Sequence, residues 1–516
     1  MFKCLNILVL MNHNRYSIIN ISIFIFFISL GFTQNPNVLF IPIDDLKPMM
    51  GAYGDTLIQT PNMDRLARFG TVFHNTSCQQ AICGPSRASL LTGMYPDHTQ
   101  VWDLRTKMRN INPDILTIPQ YFKSQGYTTA GVGKTFDPRC VDSRAQMDAI
   151  SWSVPYLKSR GTQYANPEVN AEWKKAEKLV EGMQFDVNYK RTRAISNLGG
   201  PMCRPSTESM DVPDHIYGDG ANARQALKLL ETLAKAETPF FLSVGFSKPH
   251  LPFNAPKKYW DLYNADQIPL ASFQDRAKNS PEIAYKGVNL GEIGAYSDIP
   301  DKGPLSDEKQ RQLIHGYMAA TSYVDAQLGL VLDKLKALNL TDNTIVIIWG
   351  DHGFHLGDHG LWTKHSNFEQ AVRSPMIISA PNLVPSSNTS PTEFVDIFPT
   401  LCELSNLEIP AHLPGQSLVE LMKNPMLPVR FAALSQYPRG NKRMGYTLRS
   451  ERFRYVKWLQ LDYKQGARKG RMLATELYDY QTDPNETINL SKDPKYTNLI
   501  KAFEAEFKRR NVAQIN

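Results

Sequence analysis

The sequence predicts an α/β protein built on a mostly parallel, doubly wound sheet flanked by helices. Two observations carry this. Short apolar runs of strand length alternate with helix-length segments from residue 37 to residue 380, the pattern of a parallel sheet with crossover helices. Four of those runs are followed at once by charged or imidazole residues, as expected where strand ends open on one crevice. The length, 516 residues, adds that one large and one small domain are expected.

The first run is Asn37-Val38-Leu39-Phe40-Ile41-Pro42-Ile43, a strand buried on both faces, and it ends in Asp44-Asp45. Adjacent carboxylates repel unless something positive lies between them. The pair reads either as a solvated turn or as ligands for a hard divalent cation. A helix follows, with Thr60 as N-cap, Pro61 in its first position and Gly70 as its stop. Next comes Cys83-Gly84-Pro85-Ser86-Arg87, leading into Ala88-Ser89-Leu90-Leu91-Thr92-Gly93. Pro85 suits a first helical turn, which puts Cys83 at a helix N-terminus, where free N–H groups favour an anion. Arg87, one turn on, can offer its planar fork to an oxyanion. The stretch reads either as a nucleophile aimed at an anionic ester or as a buried cysteine ahead of a capped helix.

Pro119–Ser124 is helical, Gly126 ends it, and Tyr127–Val132 is a strand delivering Gly133-Lys134. Residues 137–200 read as a long insertion, helical around Pro167–Glu181, and as a candidate specificity region. Asp219–Lys235 is an amphipathic helix and Pro239–Phe246 a buried strand that runs into Lys248-Pro249-His250. After the irregular residues 254–305, Ser306 opens a long helix to about Leu338, with Asp307 and Glu308 in its first turn. Thr344–Trp349 is the clearest strand, delivering Gly350-Asp351-His352-Gly353, a carboxylate and an imidazole suited to a metal. In the polar loop beyond it, His355, Asp358, His359, His365 and Asn367 read as solvated or supporting groups, and Lys364 as functional. Pro375–Ala380 is a further strand.

The first 33 residues differ from the rest. Lys3 and Arg15 precede the apolar run Ile18–Leu30, and Gly31 and Thr33 offer small residues before Gln34. This reads as a secretory signal peptide, too short in its apolar run for a membrane span, and implies an exported, periplasmic or secreted protein. Its removal takes Lys3 and Arg15 away and lowers the formal charge from +7 to +5. A mild positive excess suits an anionic substrate, and no basic block points to nucleic acid. Cys78, Cys140, Cys203 and Cys402 could pair in an oxidising compartment, with connectivity open.

The Cys83 element resembles that of the type I sulfatases, whose C-x-P-S-R-x-x-x-L-x-T-G pattern is matched at every fixed position. Within that family the chain is similar to the iduronate-2-sulfatase branch. The likeness extends through Ile43-Asp44-Asp45-Leu46, Gly131-Val132-Gly133-Lys134, Gly245–Phe253, Trp349–Gly353, Ser366-Asn367-Phe368 and Ser435–Arg439. The resemblance implies an alkaline-phosphatase-like sheet in a catalytic domain over residues 34–430. It also implies a smaller C-terminal α+β subdomain over 431–516, in which Gly445–Leu459 and Leu477–Tyr480 form an antiparallel sheet and Tyr496–Arg510 the helix.

The same resemblance implies roles. Cys83 would be oxidised to formylglycine by a formylglycine-generating maturation enzyme, and the hydrate would attack sulfur. Asp44, Asp45, Asp351 and His352, with the modified Cys83, would hold one calcium ion. Arg87, Lys134, Lys248, His250 and Lys364 would clamp the sulfate, with His250 or Lys364 protonating the departing sugar oxygen. The chain departs from the pattern once: where iduronate-type enzymes carry a His three residues after the Lys, this chain has Asp137, expected here to act as the base. The implied substrate is a sulfated polysaccharide, ulvan first and a glycosaminoglycan iduronate 2-sulfate second. Phosphate-ester hydrolysis on the same fold, or a non-catalytic glycan-binding relic, are the alternatives.

Overall fold

The computed structural model describes residues 35–515 apart from 159, 186, 187, 286, 288, 289 and 302, and of residues 188 and 189 the backbone alone. The expected signal peptide lies outside the described residues. At the centre is a seven-stranded sheet made of β1 (Asn37–Ile43), β2 (Thr71–Phe73), β3 (Thr128–Gly133), β4 (Phe240–Gly245), β5 (Thr344–Gly350), β6 (Met376–Ser379) and β7 (Ser386–Asn388). Their order across the sheet is β7-β2-β6-β5-β1-β4-β3. Four neighbours, β5, β1, β4 and β3, are parallel, with Val38 opposite Phe241 and Ile345, and Ala130 opposite Leu242.

β1 shows why these runs are apolar throughout. Val38 and Phe40 enter one core with Phe241, Trp349 and Leu90, while Leu39, Ile41 and Ile43 enter the opposite core with Leu242, Ile348 and Val324. Alternate residues point to opposite faces and both faces are covered, so the strand has no water-facing side. The first face is covered by α2 (Cys83–Thr92) and α3 (Ile118–Ser124), the second by α1 (Pro61–Ala67), α4 (Gly218–Leu233) and α5 (Asp307–Ala337). Ser306 caps α5 by accepting from Lys309 N at 3.2 Å, as its position before Asp307 and Glu308 suggests.

One sequence expectation changes, and two features go beyond what the sequence foretold. Thr60 stands at the N-cap of α1, but its hydroxyl accepts from Gly51 N, and the free N–H groups of Asn62 and Met63 go to Asp325 Oδ1 at 3.0 and 2.7 Å. A carboxylate from α5, 263 residues away in sequence, does the capping. The strand over 375–380 is antiparallel to β5 and to β2. A parallel return needs a crossover along a sheet face, whereas residues 351–375 stay at the end of β5 and the chain re-enters the sheet from there. The insertion holds the helix Pro167–Leu179 and also a second one, Asn188–Leu198, which the sequence reading did not foresee.

The C-terminal elements are an antiparallel run of β8 (Ala433–Pro438), β9 (Arg443–Arg449), β10 (Phe453–Gln460) and β11 (Lys469–Asp479), with β12 (Gln514–Ile515) added in parallel. Helix α6 (Thr497–Arg509) packs Phe503 and Phe507 on Tyr455. This sheet shares cores with the larger part: Trp102 joins Leu434 and Tyr446, and Phe368 joins Trp458 and Tyr478. Cys78, Cys83, Cys140, Cys203 and Cys402 are all free and buried, so the disulfides that export allowed are not formed among the described residues. No helix of the described residues is long and apolar enough to cross a membrane.

Candidate active site

The four parallel strands deliver their polar residues to one edge. Asp44 and Asp45 follow β1, Lys134 follows β3, Lys248 and His250 follow β4, and Asp351 and His352 follow β5. Gly133 has φ +81°, and a Cβ there would come 1.9 Å from Gly245 O, so only glycine lets β3 turn against β4 and send Lys134 inward. Cys83 arrives from the other side as the first residue of α2, with its Sγ 3.4 Å from His352 Nε2 and 3.9 Å from Asp45 Oδ1.

Carboxylates and cations alternate around that sulfur. Arg87 closes on two of the acids, Nε to Asp351 Oδ2 at 2.8 Å and Nη2 to Asp44 Oδ1 at 3.0 Å, while Nη1 donates to the carbonyls of Lys134 and Thr135. The fork expected to hold a sulfate is thus filled by Asp44 and Asp351, and Arg87 positions them. The Lys134 ammonium also meets Asp44, so that carboxyl is held well below the usual range, against a burial effect that pushes it up. Lys364 Nζ sits 3.0 and 2.9 Å from the two oxygens of Asp45. Burial nevertheless dominates at Asp45, with Asp44 and Glu292 adding to it, and its pKa is pushed up to about 7.

A divalent cation fits this set. The donor atoms of Asp44, Asp45, Cys83 and His250 lie within 4.8 Å of one another, as do those of Cys83, Asp351 and His352. His352 Nδ1 donates to Gly353 O at 2.9 Å, which leaves Nε2 as a lone-pair donor facing Asp45 and Asp351 at 3.4 and 3.6 Å. Three carboxylates and one imidazole nitrogen, all fully buried and crowded together, are a hard, oxygen-rich set. At Cys83 burial comes first, and the Asp44 and Asp351 charges beside it help push the thiol well above its ordinary pKa.

The remaining predicted residues fall into place unequally. His250 Nε2 faces Glu292 at 3.3 Å and Asp45 at 3.9 Å, while its Nδ1 donates to Leu251 O; burial and the Lys364 charge push it down to about 4. The Lys248 ammonium donates to the carbonyls of His250 and Pro252, holding the loop that carries His250, and its backbone N–H is taken by Asp219. Asp137, expected as a base, has both oxygens taken by Arg139, at 2.9 Å from Nε and 2.6 Å from Nη2. Burial opposes ionisation there, but the Arg139 bonds outweigh it and bring the pKa down to about 2. Both oxygens of the expected base are therefore engaged by one guanidinium.

Sequence reasoning missed Glu292, whose Oε1 accepts from Lys364 Nζ at 2.9 Å. It lies in the short helix Gly291–Ala295 inside the irregular stretch, with no strand or motif to mark it. Tyr317 was missed too; its hydroxyl donates to Asp45 O at 2.8 Å from the middle of α5. Of the groups read as solvated or supporting, His355, His359 and Asn367 are buried and Asp358 and His365 half-buried: His355 joins Asp358 and Ser366, His359 stacks on Phe368 with ring centroids 4.3 Å apart, and Asn367 reaches Gly445 O. His365 joins Tyr437, its Nδ1 2.7 Å from the tyrosine hydroxyl.

Comparison with known proteins places the whole described chain in one family. A sulfatase family model matches residues 36–407, and an N-sulphoglucosamine sulphohydrolase C-terminal model matches residues 357–513. The chain is 32% identical to the iduronate 2-sulfatase of Mus musculus, over 91% of this chain and 93% of that protein. It is 31% identical to a sulfatase of Formosa agariphila, over 93% and 87%. Two solved structures share the fold at lower identity. The phosphonate monoester hydrolase of Agrobacterium radiobacter has a TM-score of 0.70 at 22% identity, covering 92% of this chain and 96% of that one. BT4656, in complex with its substrate D-glucosamine-2-N,6-O-disulfate, has a TM-score of 0.69 at 21% identity, covering 92% and 97%. With Cys83, the buried acids and their cations gathered on one sheet edge, these matches establish that the chain belongs to the sulfatase family and is a sulfuric ester hydrolase.

Proposed function

We propose that the enzyme removes sulfate from a sulfated glycan, using Cys83 oxidised to formylglycine as the nucleophile and one calcium ion held by Asp44, Asp45, Asp351 and His352. One observation carries the reading: the residue 83 side chain points from the start of α2 into a ring of buried carboxylates from strand ends, paired with cations from α2, the end of β3 and the loop beyond β5. The ion, when bound, supplies Lewis-acid polarisation of the sulfate ester. Arg87 holds Asp44 and Asp351 in place for it. Lys134 and Lys364 bring ammonium N–H donors to the position of the ester, and the burial of Lys364 strengthens its bond to the charge that develops there. Lys364 and His250 both face Glu292, and Lys364, which has ammonium protons to give, would protonate the departing sugar oxygen.

The substrate reading rests on kinship. The iduronate 2-sulfatase above and an ulvan-active sulfatase of Formosa agariphila, 26% identical over 92% of this chain, both bear names tied to sulfated uronate-containing glycans. Ulvan is our first substrate and glycosaminoglycan iduronate 2-sulfate the second. The amino-terminal 33 residues support export to the periplasm or beyond.

The test is free sulfate released from ulvan, heparin, chondroitin and carrageenan oligosaccharides by protein co-expressed with a formylglycine-generating system. Release from one of them that vanishes in Cys83→Ala is expected. No release by protein whose formylglycine is confirmed by mass, together with hydrolysis of a phosphate ester, would transfer the chain to phosphoester chemistry.

A further inference from the structure

The loop that leaves β3 carries more than Lys134. Phe136, Asp137 and Cys140 are buried, and Arg139 between them is the residue that emerges, its side chain 48% exposed. The loop lies against the nucleophile: a Cβ on Gly84 would come 2.5 Å from Cys140 Sγ, so the chain at residues 139–140 runs beside the first turn of α2. The same loop sends the Lys134 ammonium to Asp44. Arg139 therefore lies on the loop that joins the acids of the site to the nucleophile's helix.

Its guanidinium is held on one edge only. Nε and Nη2 donate to the two oxygens of Asp137, whose side chain is fully buried and which also accepts from the Arg139 backbone N–H at 3.0 Å. A guanidinium has five N–H donors in a planar fork, and this pairing uses two. Among the described residues Nη1 has no hydrogen-bond partner, so a second two-donor edge, Nη1 with the remaining Nη2 proton, faces outward already oriented. An exposed arginine ordinarily loses rotamer freedom when it binds; here Asp137 has fixed the rotamer beforehand.

We propose that Arg139, locked by Asp137, is a specificity residue that binds a second oxyanion on the sugar bearing the scissile sulfate, a carboxylate or another sulfate. The inference rests on the sulfatase reading and deepens it: the preferred substrate is doubly anionic. It also gives a reason for Asp137 at this position. Only an acid can clamp the guanidinium, and a histidine there would leave Arg139 loose.

Binding tests this without turnover. The full chain carrying unoxidised Cys83 is titrated calorimetrically with a 2-O-sulfated uronic acid disaccharide and its carboxyl-reduced counterpart, then with a disulfated hexosamine disaccharide and its monosulfated counterpart. The doubly anionic member of one pair is expected to bind about tenfold tighter, as one charge-assisted bidentate contact would give. The pair that shows the preference identifies the second anion as carboxylate or sulfate. In Arg139→Gln that ratio falls to near one. In Arg139→Lys, which keeps the charge beside Asp137 but loses the second edge, it falls to an intermediate value. A ratio near one for both pairs in the unsubstituted chain, or a preference that survives Arg139→Gln, overturns the proposal. Neither result alters the sulfate-release assay that tests the sulfatase reading.

Discussion

Arg87 and Asp351 meet at 2.8 Å, Nε to Oδ2, with both side chains completely excluded from water. One comes from the second turn of α2 and the other from the end of β5, so this pair ties the nucleophile's helix to the sheet edge that bears the acids. Removing the guanidinium leaves Asp351 buried without its arginine and Asp44 with Lys134 alone. Arg87→Met is expected to lower stability by about 3–5 kcal/mol in chelator-treated protein, read by urea unfolding, and to abolish sulfate release. A loss below about 1 kcal/mol would mean that the acids do not depend on Arg87.

Asp137 makes a pH-dependent contribution whose sign follows from Arg139. Its folded pKa lies near 2, below the ordinary aspartate value of 3.8, so its stabilisation is present above about pH 4 and is lost as pH falls through 2. Asp137→Asn should cost on the order of 2 kcal/mol at pH 7, with the gap between variant and parent closing between pH 4 and pH 2. A gap independent of pH over that range would show that the ionised pair is not its source. The same variant retains turnover at saturating substrate if Asp137 only positions Arg139; a collapse of turnover would restore the role of base.

Glu292 sits 2.9 Å from Lys364 and 3.3 Å from His250, so it offsets positive charge where sulfate must bind. Coulomb energy at an effective dielectric near 20 is about 3 kcal/mol for charges roughly 5 Å apart, less where solvent reaches, as it does for this partly exposed carboxylate. Glu292→Gln should therefore strengthen inhibition by inorganic sulfate about tenfold. An unchanged inhibition constant would place Glu292 outside the pocket's field.

Calcium linkage is the fourth expectation. Exhaustive EGTA treatment should abolish activity and lower Tm, and calcium at about 100 times its Kd should restore about 2.7 kcal/mol. Asp45→Asn should remove the calcium-dependent part of the Tm shift. If the shift in that variant matches the parent's, the ion binds elsewhere.

Much of this site is visible in linear order because each strand hands its polar residues over within five positions of its end. Asp44-Asp45, Gly133-Lys134, Lys248-Pro249-His250 and Asp351-His352 all follow runs whose apolar character marks them as strands buried on both faces. Glu292 and Arg139 could not be found that way. Arg139 lies on irregular backbone and Glu292 in a helix of five residues, too short for periodicity to fix which way a side chain points. The capping of α1 was illegible for a similar reason: local chemistry named Thr60, and the better acceptor, Asp325, comes from a helix that meets α1 only after folding.

By itself the sequence determined the alternation of buried strands and helices, the Cys83 element at a helix start and the set of acids and cations at strand ends. These follow from local rules of period, capping and strand length. Tertiary structure alone decided their partners. It turned Arg87 from the substrate onto Asp44 and Asp351, gave Asp137 to Arg139, and set Glu292 against Lys364. A buried charge must be compensated by whatever group packing brings within about 3 Å, and that choice is made in three dimensions.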